Sequence, residues 1–301
     1  MIRTEGLTRR YGETLAVDSV SFEIDRAEIV GLLGHNGAGK STIMKMLTGF
    51  LEPSDGSVTI DGVDVAAEPK RVQANLGYLP ETLPLYPEMT VVDYLDYVTT
   101  LRNVTERPAA IRRALAATDL LGRATDVIGT LSRGFRQRVG VAQAIVHEPG
   151  ILILDEPTNG LDPSQTQQMR QLIQSLAENA TVILSTHIMQ EVNAICDRVM
   201  ILSNGRLAVD ERLDALQESG RLRLETDAEP GHVARALDGI ADVTVDDGAL
   251  LLHLAAGGAD ERAEVAKRLV AGDVAVHALH PAVRDLEAIF REASEEVPHA
   301  A

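Results

Sequence analysis

The chain has 301 residues, 45% of them apolar and 3% aromatic, with no tryptophan and a formal net charge of −17. That length allows one large core or two modest ones, built from aliphatic side chains. The acidic balance argues against a broad basic face for nucleic acid, the single cysteine (Cys196) excludes an internal disulfide, and no apolar run approaches the roughly 18 residues of a membrane-spanning helix.

In chain order, residues 1–32 alternate like paired strands, at 2–4, 16–24 and 28–33. The third strand runs into a glycine loop and a helix at 41–49. A strand at 57–60 closes on the turn Asp61-Gly62. Helical spacing fills 90–120 and returns at 136–147, where Pro149-Gly150 breaks it. The short apolar runs at 151–154 and 182–184 read as strands of a parallel sheet covered on both faces. Strands alternating with helices predict an α/β layered domain. The composition shifts near 217–220. Beyond it the order is strand 222–226, helix 232–237, strands 243–245 and 250–254, helix 261–271 and strand 274–278. That βαββαβ order predicts a small ferredoxin-like unit, followed by a helix at 282–293. Cys196 lies in an apolar run, where a buried, inert thiol is expected. The opening MIRTEGLTRRYG lacks the apolar core of a signal peptide.

The segment Gly34-His35-Asn36-Gly37-Ala38-Gly39-Lys40-Ser41 fits G-x-x-x-x-G-K-[ST], with an apolar strand before it and a helix after. Such glycines let backbone N–H groups face phosphates, and the helix dipole favours the same anion. Lys40 is then placed to reach the β- and γ-phosphates, and the Ser41 hydroxyl to take a Mg²⁺ position. The 151–154 strand delivers Asp155 and Glu156. In a P-loop nucleotidase the first orders Mg²⁺ and the second accepts a proton from the attacking water. A lone histidine after a strand, as His187 is, is ordinarily structural; here a neutral imidazole can also sense the γ-phosphate and orient Glu156 or the water.

Together these residues resemble the ATP-binding subunits of ABC transporters, over about residues 2–215. The resemblance rests on six ordered motifs. Tyr11 stands where the family stacks an aromatic on adenine; read alone it is a half-buried strand tyrosine. The phosphate loop Gly34–Ser41 is followed by Thr42. Leu131-Ser132-Arg133-Gly134-Phe135 occupies the place of the LSGGQ signature. Residues 151–156 match the magnesium strand and base, Asn159-Gly160-Leu161-Asp162 the D-loop, and Ser185-Thr186-His187 the switch histidine. The implied fold is a P-loop NTPase of ABC type. It combines a RecA-like core, an antiparallel β subdomain and a helical signature subdomain at about 82–145 within an ATP-binding domain at 1–219. An accessory α+β domain at 220–301 follows. The implied cofactors are ATP and Mg²⁺. The implied mechanism pairs two subunits head to tail, so that Ser132, Arg133, Gly134 and Phe135 of one face the phosphates bound by the other; Asp162 is the D-loop residue of the implied site.

Two departures narrow the branch. The signature reads Ser-Arg-Gly-Phe, and Arg133 either adds charge near the trans phosphate or faces solvent. The position of the Q-loop glutamine, which serves Mg²⁺ and the transmembrane partner, is Glu81. A carboxylate still serves Mg²⁺ but donates no hydrogen bond at neutral pH. GYLPE and LSRGFRQRVG are similar to the ABC-2 type export branch, and Leu286-Glu287-Ala288-Ile289-Phe290 to the C-terminal extension of its drug-type subunits. Tyr78, Tyr86, Tyr94 and Tyr97 cluster in the region that docks the permease, about 78–105. Ordinary packing and a partner groove explain that cluster equally well. The expectation is a peripheral ATPase on the cytoplasmic membrane face, homodimeric and bound to a separate integral permease, without nucleic acid. The rival is a soluble ABC ATPase acting on ribosomes or DNA. Against it stand the single set of motifs and a 42–130 segment too short for an inserted coiled coil. Glu156 and His187 also argue against a scaffold that binds ATP without turnover.

Overall fold

A computed structural model describes residues 1–217, 221–246, 249–254, 259–281 and 286–295. The chain opens with β1 (Ile2–Tyr11), β2 (Thr14–Ile24) and β3 (Ile29–Gly34), and β3 leads through the phosphate loop into α1 (Lys40–Leu47). Next come β4 (Asp55–Ile60), β5 (Val63–Asp64), α2 (Pro69–Ala74) and β6 (Leu76–Leu79). Three helices follow, α3 (Val91–Leu101), α4 (Arg107–Ala117) and α5 (Arg133–Ile145). The chain then returns through β7 (Ile151–Asp155), α6 (Pro163–Ala177), β8 (Thr181–Thr186), α7 (Met189–Ile195), β9 (Arg198–Ser203) and β10 (Arg206–Arg212).

These elements form two sheets, one ordered β2-β1-β4-β5 and one ordered β10-β9-β3-β8-β7-β6. In the second, β9, β3, β8, β7 and β6 pair in parallel. Every residue of β3, β7 and β8 is buried, as expected where helices or a second sheet cover both faces. Alternation along β7 divides the core. Ile151 and Ile153 face α1 and the antiparallel sheet, beside Ile43, Met44 and Phe22. Leu152 and Leu154 face α3–α6, beside Leu95, Val141 and Ile173. Full burial of each such side chain contributes about 1.5–3 kcal/mol.

The register matters for function. Leu33 lies opposite Thr186 and Asp155 opposite Ser185, so β3, β7 and β8 end along one sheet edge. That carboxyl edge is where open α/β sheets bind ligands. The α6 helix escapes the periodicity reading because only Met169, Leu172 and Ile173 are buried in its glutamine-rich sequence. The first strand runs on to Tyr11, past its expected end at residue 4, because irregular pairing with β2 between Thr4 and Arg10 interrupts its alternation.

The chain divides into two compact units, Met1–Asp210 with residues 290–295, and Glu211–Ile289. Part of the composition shift at 217–220 lies outside the described residues. The second unit contains α8 (Leu213–Gln217), β11 (Arg221–Glu225), α9 (Pro230–Ala236), β12 (Ala241–Asp246), β13 (Ala249–Leu254), α10 (Ala259–Ala271) and β14 (Ala278–Pro281). Its sheet is antiparallel, ordered β12-β13-β11-β14. Leu222, Leu224, Leu252, Val265 and Leu269 form its core. The last strand occupies 278–281, where the sequence reading has 274–278. Val274 instead packs into the core ahead of the ladder, which explains its apolar character. The terminal helix, α11, is Leu286–Glu295, and residues 282–285 of its expected span lie outside the described ones.

Candidate nucleotide-binding site

The loop between β3 and α1 depends on its last glycine. Gly39 has φ of 107°, and a Cβ there would stand 2.6 Å from the Ala16 carbonyl oxygen, so only glycine fits. No side chain caps α1, which leaves its first N–H groups available to an anion. Lys40 is 6% exposed. Its Nζ donates to the carbonyls of Gly34 (2.7 Å) and His35 (3.2 Å). Burial lowers its pKa, while Glu156, Asp155 and Glu81 act in the opposite sense.

Across the sheet edge, Asp155 is 2% exposed. It accepts from the Ser41 hydroxyl at 3.3 Å and from the Ser185 hydroxyl. The Glu156 N–H donates to Ser185 Oγ at 3.0 Å. Glu156 itself has φ of 51°, a costly conformation for a residue with a side chain, which turns its carboxylate back into the site. That carboxylate lies 3.8 Å from Lys40 Nζ and 3.0 Å from His187 Nδ1. Burial raises the pKa of Glu156, with His187 and Lys40 opposing the shift. A buried carboxylate with a raised pKa is a stronger proton acceptor than an exposed one. Among the described residues no cluster of three or more His, Cys, Asp or Glu forms a metal cage. The Ser41–Asp155 pair instead offers few, hard oxygen donors, a set that suits Mg²⁺ completed by water and phosphate.

Ser185 and Tyr78 are neighbours that the sequence reading does not assign to this site. Tyr78 lies on β6 opposite Ile153, on the face that carries Asp155 two residues further along β7. Its buried hydroxyl has no hydrogen-bond partner among the described residues. Burial raises its pKa, and the charges of Asp155 and Glu81 raise it further. Tyr78 therefore leaves the expected tyrosine cluster, which consists of Tyr86, Tyr94 and Tyr97. The Tyr86 ring meets Tyr94 at 6.2 Å and Tyr97 at 5.6 Å between centroids. Tyr94 is buried, whereas Tyr86 and Tyr97 are exposed. Glu81 is exposed beside the site. Phe290, in the part of α11 that belongs to the first unit, meets the His35 ring edge-on at 4.5 Å. No spacing rule connects those two positions.

The signature turn is built differently. Ser132 is the N-cap of α5, its hydroxyl accepting from the Phe135 N–H at 3.4 Å. Asp162 caps α6 in the same way, accepting from Gln165 N–H at 2.9 Å. Phe135 is half-buried with the Arg123 guanidinium 5.1 Å from its ring centroid, so its aromatic face is engaged within its own subdomain. Arg133 is exposed, as the second of its two expected positions has it, and its guanidinium lies against Gly160 of the same chain. No hydrogen bond or ion pair joins residues 132–135 to Lys40, Ser41, Asp155 or Glu156. Tyr11 is exposed, with Arg9 over its ring at 4.8 Å. Cys196 is half-buried and packed toward Gly31, and burial pushes its thiol pKa up, which makes it inert.

The profile of the ABC transporter family matches residues 17–159. The bacitracin transport ATP-binding protein BcrA of Enterococcus faecalis is 34% identical over 259 residues, 84% of each chain. The ABC transporter ATP-binding protein NatA of Bacillus subtilis is 37% identical over 233 residues, 73% of this chain and 93% of that one. Among solved structures, a dimeric bacterial ABC transporter cassette superposes with a TM-score of 0.65 at 26% identity, covering 70% of this chain and 98% of that one.

Proposed function

The chain belongs to the ABC transporter family, and on that premise we propose that it is the motor subunit of an ABC-2 type exporter, a homodimer beneath a separate integral permease. It is an ATP-binding subunit and an ATPase. The observation that carries the proposal is the division of its polar residues. Lys40, Ser41, Asp155, Glu156 and His187 converge in one buried cluster. Ser132, by contrast, is exposed on a helix N-terminus with no bond to that cluster.

In the proposed cycle, Lys40 leaves the carbonyls of its own loop for the β- and γ-phosphates of ATP, and Tyr11 stacks on the adenine. A second copy docks head to tail, as the dimeric cassette supports. The Ser132 hydroxyl and the Gly134 N–H of one copy donate to the γ-phosphate held by the other, and the closed site excludes water. Ser41, Asp155 and Glu81 would hold Mg²⁺, and the ion would neutralise phosphate charge during transfer. Glu156 accepts the proton of the attacking water while His187 holds its carboxylate in place. Loss of the γ-phosphate removes the group that both copies bind, and the dimer loosens.

The opening passes to the permease near residues 78–105, where Tyr86 and Tyr97 supply exposed aromatic anchors. Among the described residues no helix is long and apolar enough to cross a membrane. The proposed location is therefore the cytoplasmic membrane face, held there by the permease. The bacitracin relative supports export of a drug-like compound, with cargo choice residing in the permease. The test is affinity purification of the full chain from its host's membranes in mild detergent, followed by reconstitution in liposomes. A co-purifying multi-span protein that stimulates ATP turnover is expected. Co-purification of ribosomes without such a protein would overturn the exporter assignment.

A further inference from the structure

Two glycines, one in the signature turn and one in the D-loop, are each covered by a side chain from the opposite segment. A Cβ at Gly134 would stand 2.5 Å from Gln165 Oε1 and 2.7 Å from its Cδ. A Cβ at Gly160 would overlap the guanidinium of Arg133, and Gly160 has φ of 70°, where glycine is favoured in any case. Arg133 therefore lies flat on the D-loop, and Gln165 lies on the signature turn. Both are anchored at their roots. Arg133 opens α5 directly after its Ser132 cap, and Gln165 donates its N–H to the Asp162 cap of α6.

The D-loop is in turn tied to the base. Asn159 N–H donates to the Glu156 carbonyl at 3.1 Å, and Leu161 N–H to the Thr158 carbonyl at 3.1 Å, so two overlapping turns run from Glu156 to Leu161 through Gly160. The covalent and packed path thus runs from Ser132 through Arg133 and Gly160 to Glu156. On the cycle proposed above, its first residue meets ATP in one composite site and its last hydrolyses ATP in the other.

We propose that Arg133 and Gln165 form a reciprocal clasp that binds the signature turn to the D-loop of the same subunit, with Arg133 a positioning residue for Glu156. Engagement of the signature turn on the partner's phosphate then sets the geometry of the base in its own site. The planar guanidinium suits this task, because it covers a bare Cα face that the compact ammonium of a lysine does not. The clasp rests on the ATPase reading for its purpose but not for its existence, and the experiment separates the two.

The full chain is compared with R133G, R133K, G160A and the double variant R133G/G160A. The readouts are steady-state ATP turnover and hydrogen exchange of the amides at 158–162. R133G is expected to lower kcat about fivefold with the KM for ATP changed less than about twofold, the signature of an interaction felt at the chemical step. Exchange at 158–162 should rise about tenfold as the loop opens locally. R133K should behave like R133G. G160A should displace the guanidinium with the same result, and the double variant should be no worse than either single one, because all remove one contact. The proposal is overturned if R133G raises KM and leaves exchange at 158–162 unchanged, or if its effect adds to that of G160A; Arg133 would then act on the trans phosphate. Absent turnover in the unmodified chain would instead overturn the ATPase reading, while the exchange difference would still report the clasp.

Discussion

The phosphate-binding edge and the signature turn handle their polar groups in opposite ways. At the first, Lys40, Asp155, Glu156 and Ser185 are buried and joined by hydrogen bonds within the chain. At the second, Ser132 and Arg133 are exposed, and the hydroxyl of Ser132 does no more than cap its helix. A charged cluster excluded from water must satisfy itself, or its burial would be prohibitive. A half-site meant for a partner's phosphate has no such requirement, since the partner completes it. On the cycle proposed above, one subunit carries a finished half and an open half, and hydrolysis takes two copies.

The largest test of this contrast is Glu156→Gln. It should lower turnover on the order of 10³-fold, as removal of a general base does, while an ATP-bound dimer accumulates on size-exclusion chromatography. Unchanged turnover would remove Glu156 from its role. The same residue sets a pH limit. Its carboxylate must be ionised to act, and burial raises its pKa. The acid limb of the kcat profile should therefore lie above the ordinary carboxylate range, with activity lost as pH falls through that raised value.

The open half should respond differently. Ser132→Ala should lower kcat roughly 100-fold, the lower end of the range for loss of one oxyanion donor. Binding of a fluorescent ATP analogue to the isolated subunit should be unaffected, and weakened binding there would place Ser132 in the finished half. A smaller effect concerns the far end of the signature helix, where His147 accepts no proton readily. Burial first, then the nearby Arg102 charge, lower its pKa to about 4, against the backbone bond to Leu76. The folded value is depressed, so this stabilisation is fully present above the unfolded value of 6.5 and is lost as pH falls toward 4. Thermal melts should show about 1–2 kcal/mol of loss across that window, after allowance for partial solvent screening. His147→Gln should flatten the profile. The smallest effect is expected for Tyr11→Ala, which should weaken ATP binding about fivefold, equivalent to roughly 1 kcal/mol of stacking, with kcat unchanged.

Much of the finished half was legible in the chain. The G-x-x-x-x-G-K-S spacing between a strand and a helix, and an apolar run ending in Asp155-Glu156, are local patterns with local causes. Ser185 is part of the switch-histidine motif, but its contact with Asp155 depends on the pairing of β7 with β8, which spacing along the chain does not show. Tyr78 is close in sequence to Tyr86, Tyr94 and Tyr97. Its strand instead carries it into the sheet beside Asp155, away from Tyr86 and Tyr97. Arg133 is visible as a departure from the signature, yet its contact with Gly160 joins the start of α5 to the turn ahead of α6, with all of α5 and β7 between them in the chain.

The sequence by itself determined the chemistry: the phosphate loop, the acid pair and the continuous apolar runs of the buried strands. These follow from spacing, because strand and helix periods act over a few residues. Tertiary structure alone decided which groups share a proton, a hydroxyl or a glycine face. The His187–Glu156 contact, the raised pKa of that carboxylate and the seat of Arg133 on the D-loop all depend on distances across strands and on exclusion of water. Neither has a counterpart in the order of residues along a chain.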